Sequence, residues 1–190
     1  MPTPVANTDL TVINQCLTGF LGEERITDLE DDQTKRAIIM RESYEPTSEF
    51  CQTVTNWLFN KTKAALNKLE AEPENRWSAA WQLPNDKLKI ITVWPPGRYE
   101  IQGKELLSNN TDSIEIDYLR KIEEAFWPAW FTRYVVAELT MRTTRGITGE
   151  KANTDQRAER DTAKSEALFN DATQQPNPEN PPNAFVDVRL

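Results

Sequence analysis

Apolar residues in the first third of the chain recur at helical spacing. In "TDLTVINQCLTGFLG", Leu10, Ile13, Leu17 and Leu21 share one face, Thr8 or Asp9 is placed to cap the start, and Gly22 is placed to end it. This predicts a helix over about 8–21. A second is expected over about 32–43, stopped in "YEPTS" because Pro46 disfavours helical backbone in the residue before it. A third, over about 48–59, turns Phe50, Val54, Trp57 and Leu58 toward a core.

The period then changes. "NKTKAALNKLEAE" has helical propensity yet also suits a strand packed on the next segment, so its letters leave both open. "RWSAAWQL" sets Trp77, Ala79, Trp81 and Leu83 on one face by alternation, and "KLKIITVW" comes after the turn "PND". "YEIQG", "KELLSNN" and "SIEIDYL" read as further short strands, with turns at Gly103 and Asn109-Asn110. A small antiparallel β region over about 61–118 is the expectation.

Helical spacing returns in "FWPAWFTRYVVAELTMRTTRG". Pro128 suits the first turn, Gly146 the end, and the apolar residues between them cover most of the circumference, so a helix over about 128–145 needs burial on nearly all sides. The next, over about 150–171, offers only Ala152, Ala158, Ala163 and Ala167 amid charges, with Arg157 and Asp161 spaced for an i,i+4 contact. Residues 173–190 form an extended tail in this reading. Pro176, Pro178, Pro181 and Pro182 cannot continue a helix, and "AFVDVRL" ends the chain as an apolar strip. The whole reads as mainly α: a helical bundle with an inserted small antiparallel β region and an extended C-terminal tail, residues 1–172 forming one domain.

Composition narrows the chemistry. The 190 residues carry a net charge of -8, which argues against gripping nucleic acid by neutralising phosphates. No apolar run approaches the ~18 residues of a membrane helix, and "MPTPVANTDL" has no secretory pattern. The chain has no histidine, which removes the usual triads and most zinc sites. Among six glycines no phosphate-cradling loop occurs. Cys16 and Cys51 fall in helical apolar patterns and read as buried free thiols. Carboxylate pairs such as Glu23 and Glu24 with Asp28, or Glu123 and Glu124, read as solvated faces or helix-terminal charge. No catalytic, cofactor or metal residues are assigned. Of six tryptophans, Trp57, Trp77, Trp81 and Trp130 lie on apolar faces, whereas Trp94, in the turn "WPPGR", is the one expected at the surface. The turn residues Trp94, Pro95, Pro96 and Arg98 are therefore the contact candidates.

The order of "NQCLTGFLGEERITDLEDD", "TNWLF", "WQLPNDKLKIITV", "YEIQGKELLSNNTDSIEIDYL" and "WPAWFTRYVVAELT" resembles the head-to-tail adaptor family of tailed bacteriophages, the tail tubular protein A or head-tail connector proteins. The resemblance spans about residues 9–172, with "LPNDKLKI" and the subsequent "Y-x-I-x-G-x-x-LL" its most specific part. It implies an extended segment after Trp57-Leu58-Phe59, and a structural role in the virion neck. That role is a ring, commonly of twelve copies, which binds the portal protein, receives the tail nozzle or tube, and passes DNA without sequence-specific binding. It also implies that the C-terminal helix and tail, Gly149 to Leu190, reach the portal, with Pro181, Pro182, Ala184, Phe185, Val186, Val188 and Leu190 as the expected portal-binding residues. Trp94, Pro95, Pro96 and Arg98, singled out by their own chemistry, are then the candidates for contact with the tail or a neighbouring copy. Such a protein is made in the bacterial cytoplasm, with no membrane partner and no cofactor. The readings set beside it are a carboxylate-dependent peptidoglycan hydrolase and a stopper or completion protein of another neck type.

Overall fold

A computed structural model describes residues 8–71, 73 and 76–174, and among these described residues the chain forms four α-helices and seven strands. The helices are α1 (Asp9–Cys16), α2 (Lys35–Thr53), α3 (Ala129–Thr148) and α4 (Thr154–Thr173). The strands are β1 (Lys61–Ala65), β2 (Asn67–Lys68), β3 (Ala79–Gln82), β4 (Lys87–Trp94), β5 (Tyr99–Gln102), β6 (Glu105–Ser108) and β7 (Glu115–Arg120). Helix accounts for 46% and strand for 20% of the described residues, the strands lying in two separate antiparallel sheets. The mainly α reading with a small β insertion is therefore wrong; the fold is mixed α/β. The physical reason is that the strands close a hydrophobic core of their own.

The helical body is organised by α3, which packs against α1, α2 and α4. Phe131, Tyr134, Val135, Val136, Ala137 and Leu139 are all buried. Trp57 sits under them, edge-on to Phe131 at a centroid distance of 5.5 Å and tilted against Trp130 at 5.7 Å. Such aromatic pairs add ~0.5–1.5 kcal/mol beyond their burial. α4 covers α3 with Ala163 and Ala167, both fully buried, so its thin apolar face is a close-packing face. Arg133 joins the two helices through Glu159 and Glu166 at 2.8 and 2.5 Å. Asp161 is held by Arg160 at 2.8 Å rather than by Arg157.

Helix ends follow side-chain chemistry. Thr8 accepts from the Thr11 amide to start α1, which continues as a π turn over Leu17–Leu21 and stops at Gly22 in the left-handed conformation. α4 starts at a capping box formed by Asn153 and Gln156, three residues later than the pattern suggested. Two sequence signals misplace ends. Pro46 lies inside α2, so the two helices expected over 32–43 and 48–59 are one, ending at Thr53. An internal proline costs ~3 kcal/mol, but Tyr44, Thr47, Ser48 and Cys51 are buried on both sides of it and keep the helix whole. Gly146 does not end α3; Gly149 does, at φ 82°. A Cβ at Gly146 would stand 3.1 Å from Ile39 Cδ1, so the missing side chain lets α2 and α3 approach.

The connector from α1 to α2 is fastened to backbone. Asn14 donates to the Ile26 carbonyl and accepts from its amide, both at 2.8 Å. Arg41 donates to the carbonyls of Leu29, Glu30 and Asp32. Phe50, expected in the core, is 43% exposed and lies beneath the Arg142 guanidinium at 4.3 Å.

The strands form a sheet of order β1-β7-β4 and another of order β2-β3-β6-β5. "KTKAALNKL" is extended, pairing first with β7 and then with β3, and it carries the chain from one sheet to the other. At the crossing, the Leu66 amide donates to the Ile114 carbonyl at 2.8 Å. Ile116, Tyr118 and Val93 of the first sheet enclose a core with Ala79, Trp81 and Leu106 of the second. Trp77, Ala80, Leu107 and Leu69 pack on the far side of the second sheet, so Trp77 lies off the Trp81 face where alternation had put it.

Helical body and sheets meet at a buried polar joint. Gln52 is fully buried; its Oε1 accepts from the Ile122 amide at 2.8 Å and its Nε2 donates to Ser48 Oγ at 3.3 Å. Asn60 donates to the Gln52 carbonyl at 3.0 Å, and its own carbonyl accepts from the Arg120 amide at 3.0 Å. Near it the Leu58 amide donates to both carboxylate oxygens of Asp171, at 2.9 and 3.2 Å. Burial raises the Asp171 carboxyl above its ordinary range, against the lowering effect of that hydrogen bond.

Replacing Gln52 by Leu would leave the Ile122 amide buried and unpaired, so a loss of about 1–3 kcal/mol is expected in urea unfolding. Asp171→Ala should lose a similar amount by orphaning Leu58, whereas Asp171→Asn keeps an acceptor. Because the folded Asp171 pKa is raised, the unfolded chain releases that proton first. Stability from this group therefore falls as pH rises from the unfolded to the folded value and stays lower above both. Asp171→Asn should remove this contribution from the pH-stability curve.

Candidate functional site

Large apolar side chains left in solvent mark the surfaces available for contact. Trp94 ends β4 opposite Glu115 and is 61% exposed. Beyond a cis Trp94-Pro95 bond, Pro95, Pro96 and Arg98 are all exposed. The indole borders a cleft of about 410 Å³ lined by Lys63, Thr92, Glu115 and Asp117. Asp117 is bracketed there by Lys61 and Lys63 at 3.7 and 3.8 Å. The turn leads into β5, where Tyr99 and Ile101 are 42% and 44% exposed. A second set lies on the helical side: Phe126 before α3, and Leu168 with Phe169 on α4.

The remaining sequence candidates separate in space and chemistry. Pro181, Pro182, Ala184, Phe185, Val186, Val188 and Leu190 lie outside the described residues. Glu23 and Glu24 both face Arg36, at 3.8 and 3.4 Å, and Asp28 closes a turn by accepting from the Glu30 and Asp31 amides. Glu124 accepts from the Tyr44 hydroxyl at 2.9 Å; burial, together with that carboxylate, pushes the phenol far above its ordinary range. Glu138, nearly buried, is paired with Arg142 at 2.8 Å and Arg160 at 3.7 Å. These carboxylates are engaged in structural pairs on different elements. Among the described residues no group of three or more Cys, Asp or Glu is placed to hold a metal ion.

The two cysteines are free, and neither side chain reaches solvent. Burial pushes the Cys16 thiol up to about 11, against hydrogen bonds from Thr140 and Thr143. Burial pushes Cys51 up to about 12. Both are therefore protonated near neutrality and serve as small core residues. A cleft of about 520 Å³ between the π turn and α3 is lined by Gln15, Thr18, Phe20, Val136 and Arg133.

Sequence reasoning found Trp94 but missed Tyr99, Ile101, Phe126 and Phe169. The signal for Phe169 was present, since it stands two residues from Ala167 and so away from the alanine face of α4. Tyr99 and Ile101 alternate like core residues, and their exposure follows from β5 lying at a sheet edge, which periodicity does not reveal. No known protein-family model matches the chain, and no curated protein matches it in sequence. No helix among the described residues is long and apolar enough to cross a membrane.

Trp94→Ala is expected to leave the thermal midpoint nearly unchanged, within about 0.5 kcal/mol, because the indole packs little. Cys16 and Cys51 should resist a thiol reagent at pH 8 in the native protein and react together in denaturant, a contrast that counting reacted thiols will check.

Proposed function

We propose that this chain is the repeating subunit of a ring-shaped adaptor in a bacteriophage neck, joining the capsid portal to the tail and giving DNA a passage. The observation that carries the reading is the ordered succession of family-like segments. "WQLPNDKLKIITV" runs from within β3 through most of β4, "YEIQGKELLSNNTDSIEIDYL" runs from the start of β5 to within one residue of the end of β7, and "WPAWFTRYVVAELT" opens the central helix α3.

Surface chemistry supports the same reading. A ring subunit meets a neighbour on each side through different patches, a heterologous contact. Exposed apolar side chains occur both on the sheets, at Trp94, Tyr99 and Ile101, and on the helical side, Phe126, Leu168 and Phe169 among them. Charge is segregated as well: residues 8–60 and 122–174 carry 11 basic and 19 acidic side chains, whereas 61–121 carry 10 and 9. Like-charged helical bodies repel one another, and pairing a body with the near-neutral sheets of the next copy avoids that. An acidic body facing a channel would also let DNA pass without adhering.

Mixing the purified protein with the portal protein of the same virus should yield a stoichiometric complex by mass photometry, with a ring below the portal in electron micrographs. Failure to form any complex across low and physiological salt would sink the adaptor reading.

A further inference from the structure

The two sheets have four outer strands, and three are protected against further pairing. β1 presents Lys61 and Lys63, β4 is broken by two register shifts, and β2 is two residues long. Lysines, bulges and short length are the usual ways of blunting an edge. β5 is different. Ile101 pairs with Leu106, which pairs with Trp81, and directly paired residues of antiparallel strands share a face. The row Trp81, Leu106, Ile101 therefore begins in the sandwich core and ends in solvent, with Tyr99 beside it past Ser108 and Ala79. On the opposite face Glu100 accepts from Trp77 Nε1 at 3.0 Å and lies 3.7 Å from Arg76.

A strand that completed this edge would need apolar residues at alternate positions on the core side, and a basic residue opposite Glu100 would join Arg76 beside that carboxylate. The C-terminal heptapeptide "AFVDVRL" has both. Laid antiparallel to β5, it sets Leu190 beside Tyr99, Arg189 beside Glu100, Val188 beside Ile101 and Asp187 beside Gln102, where β5 ends. A shift by one residue would turn its valines to the wrong face. We propose that residues 184–190 of one copy add to the β5 edge of a neighbouring copy as an extra strand. The supplying copy is a neighbour because the ring reading sets one beside each subunit, and residues 175–183 leave a spacer that can reach it. This inference rests on the ring reading, which supplies the neighbour, and it assigns to the ring a segment that the family resemblance assigned to the portal.

The test is a cysteine crosslink in the full-length protein assembled on the portal. Ile101→Cys and Val188→Cys variants are mixed, mildly oxidised and run without reductant; Cys16 and Cys51 are too buried to compete. A dimer band several-fold stronger than with either variant alone is expected. Asp187→Cys, one position out of register, should lose most of it. Excess synthetic "AFVDVRL" should suppress the band, and a scrambled peptide should not. Unchanged thermal midpoints will show that the substitutions leave the fold intact. Portal-bound rings that form without the crosslink would overturn the strand exchange while leaving the adaptor reading standing. So would a link from Val188→Cys to the portal, or one confined to a single chain in the double variant. Absence of any assembly would overturn both.

Discussion

A single buried amide holds the two halves of this protein in register. Gln52 sits at the end of α2 with no access to solvent, and its side chain satisfies the Ile122 amide where the chain leaves the sheets. Its backbone carbonyl takes the Asn60 side chain where the chain enters them. Entry and exit of the β region are thus tied to one residue of the helical body. A buried polar group is costly unless paired, so the penalty for separating these elements falls on all of them at once. An apolar residue of the same size would fill the space without specifying which amide it faces.

The two cores reflect different sequence logic, and this decided what could be read in advance. α3 announces itself through a nearly continuous apolar surface, and it is central. The caps at Thr8 and Gly22 follow local rules because nothing distant competes for those groups. Pro46 and Gly146 are local signals overruled from a distance. Burial on both flanks keeps α2 intact through its proline, and Ile39 needs the space that Gly146 leaves. The size of the β contribution was underestimated for a related reason. Five-residue strands with lysine and alanine carry little signal of their own, and "KTKAALNKL" becomes a strand only because β7 and β3 are there to pair with it.

Surface features were legible in proportion to how local they are. Trp94 beside two prolines has few ways to be buried, and it is exposed. The β5 edge needed the strand order 2-3-6-5, which no window of sequence contains. Carboxylates that spacing alone grouped together are held in structural contacts, Glu23 and Glu24 by Arg36 and Glu124 by Tyr44. The proposed likeness to neck adaptors rests on the order of segments, a scale that the position of individual helix ends does not change.

The grip of Asp171 on the Leu58 amide has a mechanical consequence. Asp171 stands three residues before the last described residue, so the C-terminal segment departs from a point fastened to the root of β1. Part of any tension on that segment is delivered through the carboxylate to Leu58, while the backbone of α4 carries the rest. That part of the load falls where the two halves join. In a ring of the proposed kind, force arriving there would tighten each subunit against its own hinge before it could pull a helix loose.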